Sequence, residues 1–222
     1  MRSKISLKSV FIVIVLGAAM IYTAGFFAEK QMLRRVIERL SADSRVAEVL
    51  VTEVRKDPAT RKKLTTIKFL EYDINNRPLE PKYFTFSDNL IQFQSLVIRF
   101  DDSYVKSGHR LKGKSAYIFM KAFILKDKGT EVFEINRVNQ VPSGYEVAGE
   151  NNLLEKKIWR SFWEYALDER QSRKAGIKNA QLEAPGTKFI PGMLYIIRIE
   201  HDGGLRIDCQ KLSPTLRGER LP

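Results

Sequence analysis

Residues 29–58 read EKQMLRRVIERLSADSRVAEVLVTEVRKDP. Where the helix in this stretch stops decides where the folded domain begins. Leu33, Leu40, Ala47 and Val54 recur every seven residues, and Val36, Asp43 and Leu50 fill the second seam position. Ile37 and Val51 widen the stripe. This is the apolar period of a short coiled coil with one polar break at Asp43. Ser41 and Ser44 beside that break also suit the end of one helix and the cap of the next. Asp57-Pro58 closes the segment, because the residue before proline is pushed out of helical geometry. The pattern therefore predicts a stalk helix over 29–57, with Leu33, Val36, Leu40, Ala47, Leu50 and Val54 as the seam. Such a helix either forms a homo-oligomer or joins a partner through the seam, or packs on its own domain.

Upstream, Ser9 to Ala28 carries no charge. Twenty helical residues span about 30 Å, the thickness of a bilayer hydrocarbon core. A secretory signal has a shorter apolar region and a small-x-small cleavage site. Here the run ends Ala24-Gly25-Phe26-Phe27-Ala28, with bulky Phe26 poorly placed for cleavage after Ala28. The length and flanks predict an uncleaved transmembrane anchor over 9–28, marked by Val10, Phe11, Leu16, Gly17, Ala24 and Phe27. Residues 1–8 form a short basic cytoplasmic tail in this reading. Arg2, Lys4 and Lys8 precede the span, and Lys30, Arg34, Arg35, Arg39 and Arg45 follow it, so the charge count favours neither side. Translocation of a large domain behind a signal-anchor gives the orientation adopted: a bacterial inner-membrane protein, N-terminus inside, with its domain periplasmic or extracellular. A tail of that size holds no signalling or catalytic module.

From Leu64 onward, short apolar runs with turn punctuation replace the helical period. Strands are expected at Leu64–Ile74, Lys82–Phe86, Leu90–Phe100, Ala116–Leu125, Glu131–Val138, Gln140–Val147, Ile177–Glu183, Met193–Glu200 and Leu205–Gln210. A change of apolar phase between Phe93 and Leu96 suggests a bulge or bend. Asn151–Lys174 is the one helix of this part, with Ile158, Trp159, Phe162, Trp163, Ala166 and Leu167 on one side. The strands lie too close together for parallel crossovers. The fold class is α+β: a transmembrane helix and a stalk helix, then a mainly antiparallel β-rich domain over 58–212 with one packed helix, and a loose tail over 213–222.

The 222 residues carry a net charge of +12. The first 57 hold 10 Lys/Arg and 6 Asp/Glu, leaving 28 and 20 in the remainder, so the excess is spread as +4 and +8. Such a surface suits anionic partners or plain solubility. No nucleic-acid module organises the basic residues, and no nucleic-acid partner is expected. Cys209 is the only cysteine, so no intrachain disulfide forms. His109 and His201 have no His or Cys neighbour at ligand spacing, and no metal or other cofactor is expected.

The most site-like stretch is Asp101–Ser115 (DDSYVKSGHRLKGKS). Lys106, His109, Arg110, Lys112 and Lys114 alternate with glycines that let a backbone approach an anion. It is not a Walker loop, and a solvated basic loop explains it equally simply. Asp101-Asp102 lacks the further oxygens of a calcium loop, and His201-Asp202 fits turn chemistry. No Gly-x-Ser-x-Gly elbow marks a nucleophile. The aromatics of the 151–174 helix suit an interface, or the ordinary core side of a helix that covers a sheet. No catalytic residue is assigned, and the chain is not expected to be an enzyme. The expected role is a single-pass structural or assembly subunit of a bacterial envelope complex, acting through protein–protein contacts. The alternative is an extracytoplasmic domain that binds a lipid or an anionic glycan.

Overall fold

The computed structural model describes residues 7–42, 45–73, 77–87, 90–100, 115–126, 129–143, 145, 153–168, 170, 177–200 and 204–213. Helix α1 (Leu7–Leu40) leads into β1 (Ser41–Ala42) and β2 (Arg45–Lys56). Next come β3 (Lys63–Glu71), β4 (Lys82–Ser87), β5 (Leu90–Phe100), β6 (Ser115–Lys126) and β7 (Gly129–Glu134). Helix α2 (Leu153–Leu167) precedes β8 (Ile177–Glu183), β9 (Gly186–Lys188), β10 (Met193–Ile199) and β11 (Leu205–Lys211).

The strands form two antiparallel sheets. The first runs β1-β6-β5-β8, with β7 paired to β6 and β9 to β5; the second runs β11-β10-β2-β3-β4. Rings from both sheets interlock between them. Phe69 of β3 stacks on Phe93 of β5 at 5.1 Å and meets Phe119 of β6 edge-on at 5.1 Å. Phe84 of β4 lies 5.3 Å from Phe133 of β7, and Tyr195 of β10 lies 4.5 Å from Phe189, just after β9. Each large ring removes much apolar area from water, and the offset and edge geometries add to that gain. The result is a β-sandwich whose interior is dominated by aromatic side chains.

The expected stalk ends early. Helix α1 stops at Leu40, and Arg45–Lys56 is a strand. Of the proposed seam, Leu33, Val36 and Leu40 lie on α1, whereas Ala47, Leu50 and Val54 lie on β2. No helix carries all six. The physical reason is that RVAEVLVTEVRK satisfies two periods at once. Ala47, Val49 and Val51 alternate into the interior, and the segment is rich in β-branched residues that favour a pleated surface. Pairing on both edges then decides the matter: β2 lies between β10 and β3. One extra residue, Thr52, is accommodated as a bulge, where its hydroxyl donates to the Thr66 carbonyl at 3.3 Å.

Most other strands fall where turn signals place them. Residues 140–143 and 145 do not form the strand expected over Gln140–Val147. Asn136, buried, instead ties this segment down: its amide donates to the Phe119 carbonyl at 2.8 Å, and its side-chain oxygen accepts from Ser143 N at 2.8 Å. The irregularity near Phe93 is a register shift opposite Gln94/Ser95, with the extra residue, Met120, on β6. Strand β5 itself keeps its phase. What changes is burial, which from Leu96 on covers both faces.

That second cover is helical. Leu96, Ile98 and Ile118 alternate with residues facing the aromatic interior, yet all three are buried. Helix α1 lies against β6 and α2, and α2 against β8, on this outer face of the first sheet. Trp159, Phe162, Trp163 and Ala166 are buried there, so the helix forms core as expected of its apolar side; Leu167 is exposed. The helix described ends at Leu167, where Asp168 accepts a hydrogen bond from Arg170 N at 2.8 Å; Arg170 is again helical, and the rest of the expected span to Lys174 lies outside the described residues.

Candidate functional site

Two features are not explained by packing alone. The first is α1. Its large apolar side chains from Phe11 to Phe27 are between 49 % and 77 % exposed, on every side of the helix. A surface helix normally hides one apolar stripe, and a helix that is apolar all round is normally covered entirely. Phe11, Leu16 and Phe27 stand in this exposed run, with Gly17 and Ala24 among them; nothing lies within reach of a side chain added at Gly17 or Gly25. Val10 lies on the same helix, but its side chain is outside the described residues. Among the described residues, no helix is long and apolar enough to cross a membrane.

The second feature is a buried acid that the sequence reading passed over. Thr65, Ile67, Phe69 and Glu71 alternate along β3, so Glu71 continues the row that faces the sandwich interior. It is 3 % exposed, and neither carboxyl oxygen has a hydrogen-bond partner among the described residues. Burial pushes its carboxyl up to about 8, against a smaller opposing pull from Lys82. At neutral pH it is mainly a neutral carboxylic acid.

Two buried phenols share this end of the sandwich. The Tyr117 hydroxyl donates to the Tyr72 carbonyl at 3.2 Å. The Tyr145 hydroxyl lies beside that of Tyr117 without a well-formed hydrogen bond among the described residues. Burial raises both phenols above their ordinary range, and the neighbouring acids Glu71 and Asp73 raise them further. Next to the acid, Tyr72 donates to Glu48 Oε2 at 2.8 Å, and Leu79 N reaches the Glu71 carbonyl at 2.9 Å. The backbone is thus well paired while the Glu71 carboxyl is not.

A strap of chain closes over this end. Ile135 N and Asn136 N both donate to the carbonyl of the bulged Met120, at 3.0 Å each. Trp163 Nε1 donates to the Gln140 carbonyl at 2.8 Å, and the Tyr145 ring packs 5.7 Å from Trp159. Helix α2 therefore holds the strap, and the strap holds Tyr145 near the acid. Chemically, the cluster takes up or releases one proton at Glu71 near pH 8. The alternation LTTIKFLEYDI could have located it, since every second residue before Glu71 is a core residue.

The basic residues Lys106, His109, Arg110, Lys112 and Lys114 lie outside the described residues, as do Asp101-Asp102 and His201-Asp202. Cys209 is exposed on β11, the outermost strand of the second sheet. Among the described residues, no group of three or more metal-ligating side chains is gathered.

No family model matches this chain, and neither a curated protein nor a solved structure matches it.

Proposed function

We propose that the chain is a single-pass membrane-anchored subunit of a bacterial envelope complex. Its β-sandwich docks protein partners on the extracytoplasmic side and performs no catalysis of its own. The observation that carries this reading is α1: an apolar surface exposed on all sides, continuous with the uncharged run Ser9–Ala28, joined to a folded sandwich. A bilayer is the environment in which such a helix is stable, since its backbone is paired internally and its side chains match the lipid. Tyr22, Phe26 and Phe27 sit toward one end of the run, where aromatic residues favour the membrane interface. A helix that passes within a few residues into the central strand β2 makes the anchor and the domain mechanically one piece.

The alternative, a lipid held inside the domain, would have to displace the interlocked rings of Phe69, Phe93 and Phe119 from the interior. The test is biochemical. Full-length chain should resist alkaline extraction from membranes, and mild detergent should release it in a stable complex. A lone monomer after gentle solubilisation would sink the assembly reading, and release by alkali would sink the anchor.

A further inference from the structure

We infer that the uncovered half of the first sheet's outer face rests on the surface of a membrane rich in anionic lipid. The inference rests on the anchor reading above. The two helices cover only part of this face, the part holding Leu96, Ile98 and Ile118. Beyond the β6 bulge, among the described residues, its apolar side chains are left exposed. There Leu90, Phe123, Leu125 and Val132 point outward, because Ile91, Ala122, Ile124 and Phe133 on the same strands point inward. Phe123 pairs directly with Val132, and Leu90 and Leu125 continue the stripe across β5 and β6. Leu125 is 67 % exposed, Val132 50 % and Leu90 45 %. Contiguous exposed apolar side chains of this kind mark an interaction surface.

Three observations bear on the occupant. The patch lies on β6, the strand whose first residues pair with β1 directly after the helix that would enter the bilayer, so patch and anchor are fixed to one sheet. Lysines edge it: Lys121 sets its ammonium 5.9 Å from the centre of the Phe123 ring, and Lys188 pairs with Leu90. Long lysine stems lie along apolar surface while their charged ends reach phosphates. The chain as a whole is also strongly cationic, at +12.

The experiment uses full-length protein carrying Cys209→Ser and one new cysteine, at Leu125, Thr85 or Leu16, each labelled with an environment-sensitive fluorophore. Thr85 faces outward from the second sheet, on the opposite side of the sandwich. The labelled chains are reconstituted into phosphatidylcholine vesicles, with or without phosphatidylglycerol, that contain a lipid-borne quencher. The label at 125 should be quenched at least about two-fold more than that at 85 when phosphatidylglycerol is present, as for a surface seated in the headgroup region. That excess should shrink without the anionic lipid or in high salt. Equal quenching at 125 and 85, with 16 strongly quenched, overturns this inference and leaves the anchor standing. A label at 125 that is shielded from aqueous iodide but not quenched by lipid also overturns it, and assigns the face to a second copy or another protein. An unquenched label at 16 removes the anchor and this inference with it.

Discussion

At neutral pH the Glu71 side chain is held mostly protonated, since burial lifts its carboxyl from 4.5 to about 8. The unfolded chain ionises this group near the lower value, so between the two the folded state binds more protons. Stability from this group is therefore complete below about pH 4.5, falls as the pH rises, and reaches its floor above about 8. At about 1.4 kcal/mol per pH unit, the burden at neutral pH is roughly 3 kcal/mol, an upper figure because relaxation lowers it. Glu71→Gln keeps the shape and removes the ionisation. Denaturant titrations in detergent should show the parent losing stability from pH 5 to 8 while the variant stays flat and is the more stable at pH 8. Parallel curves would mean that Glu71 reaches water in the folded protein. The neighbouring phenols do not share this window, because burial moves them upward from an already alkaline range.

Strand β2 carries the largest structural consequence of any element. Val49 pairs with Tyr195 on one side and Phe69 on the other, so its backbone serves both neighbours in the second sheet. Val49→Pro removes a donor that the ladder needs and fixes a dihedral the strand does not favour. The whole domain should then lose its cooperative unfolding transition and its near-ultraviolet circular dichroism. If residues 45–56 were a separate stalk helix, the same variant would leave the domain's transition intact. The sheets were largely readable in the sequence because turns punctuate them: β5 and β8 run from Leu90 to Phe100 and Ile177 to Glu183, the limits that apolar runs alone predict. β2 was not, because Ala47, Val51 and Val54 fit a heptad as well as a pleat, and only the partners β3 and β10 break the tie. Glu71 was hidden for a different reason. It lies inside the expected strand Leu64–Ile74 as one polar residue among several, and only its phase with Ile67 and Phe69 reveals that it faces inward.

Across the whole molecule, α1 differs between its two ends. Residues 11–27 are exposed, yet the helix also lies against α2 and β6 and feeds into β1 and β2. Deleting 1–28 should move the protein from membranes to the aqueous fraction as a folded domain. Deleting 1–40 should also uncover the face of β6 and α2 that α1 touches, and give aggregated protein in size-exclusion chromatography. Similar behaviour of both truncations would show that the later turns of α1 contribute nothing to the domain. The position of β2 also has a consequence in time. Its partner β10 begins at Met193, so one edge of β2 has no mate until the ribosome has passed that residue. At about 5–20 residues per second, the interval between Leu50 and its partner Leu194 is roughly 7–30 s. Through that wait one edge of the nascent strand keeps open hydrogen-bonding groups, and that is the interval in which it can pair with a wrong neighbour.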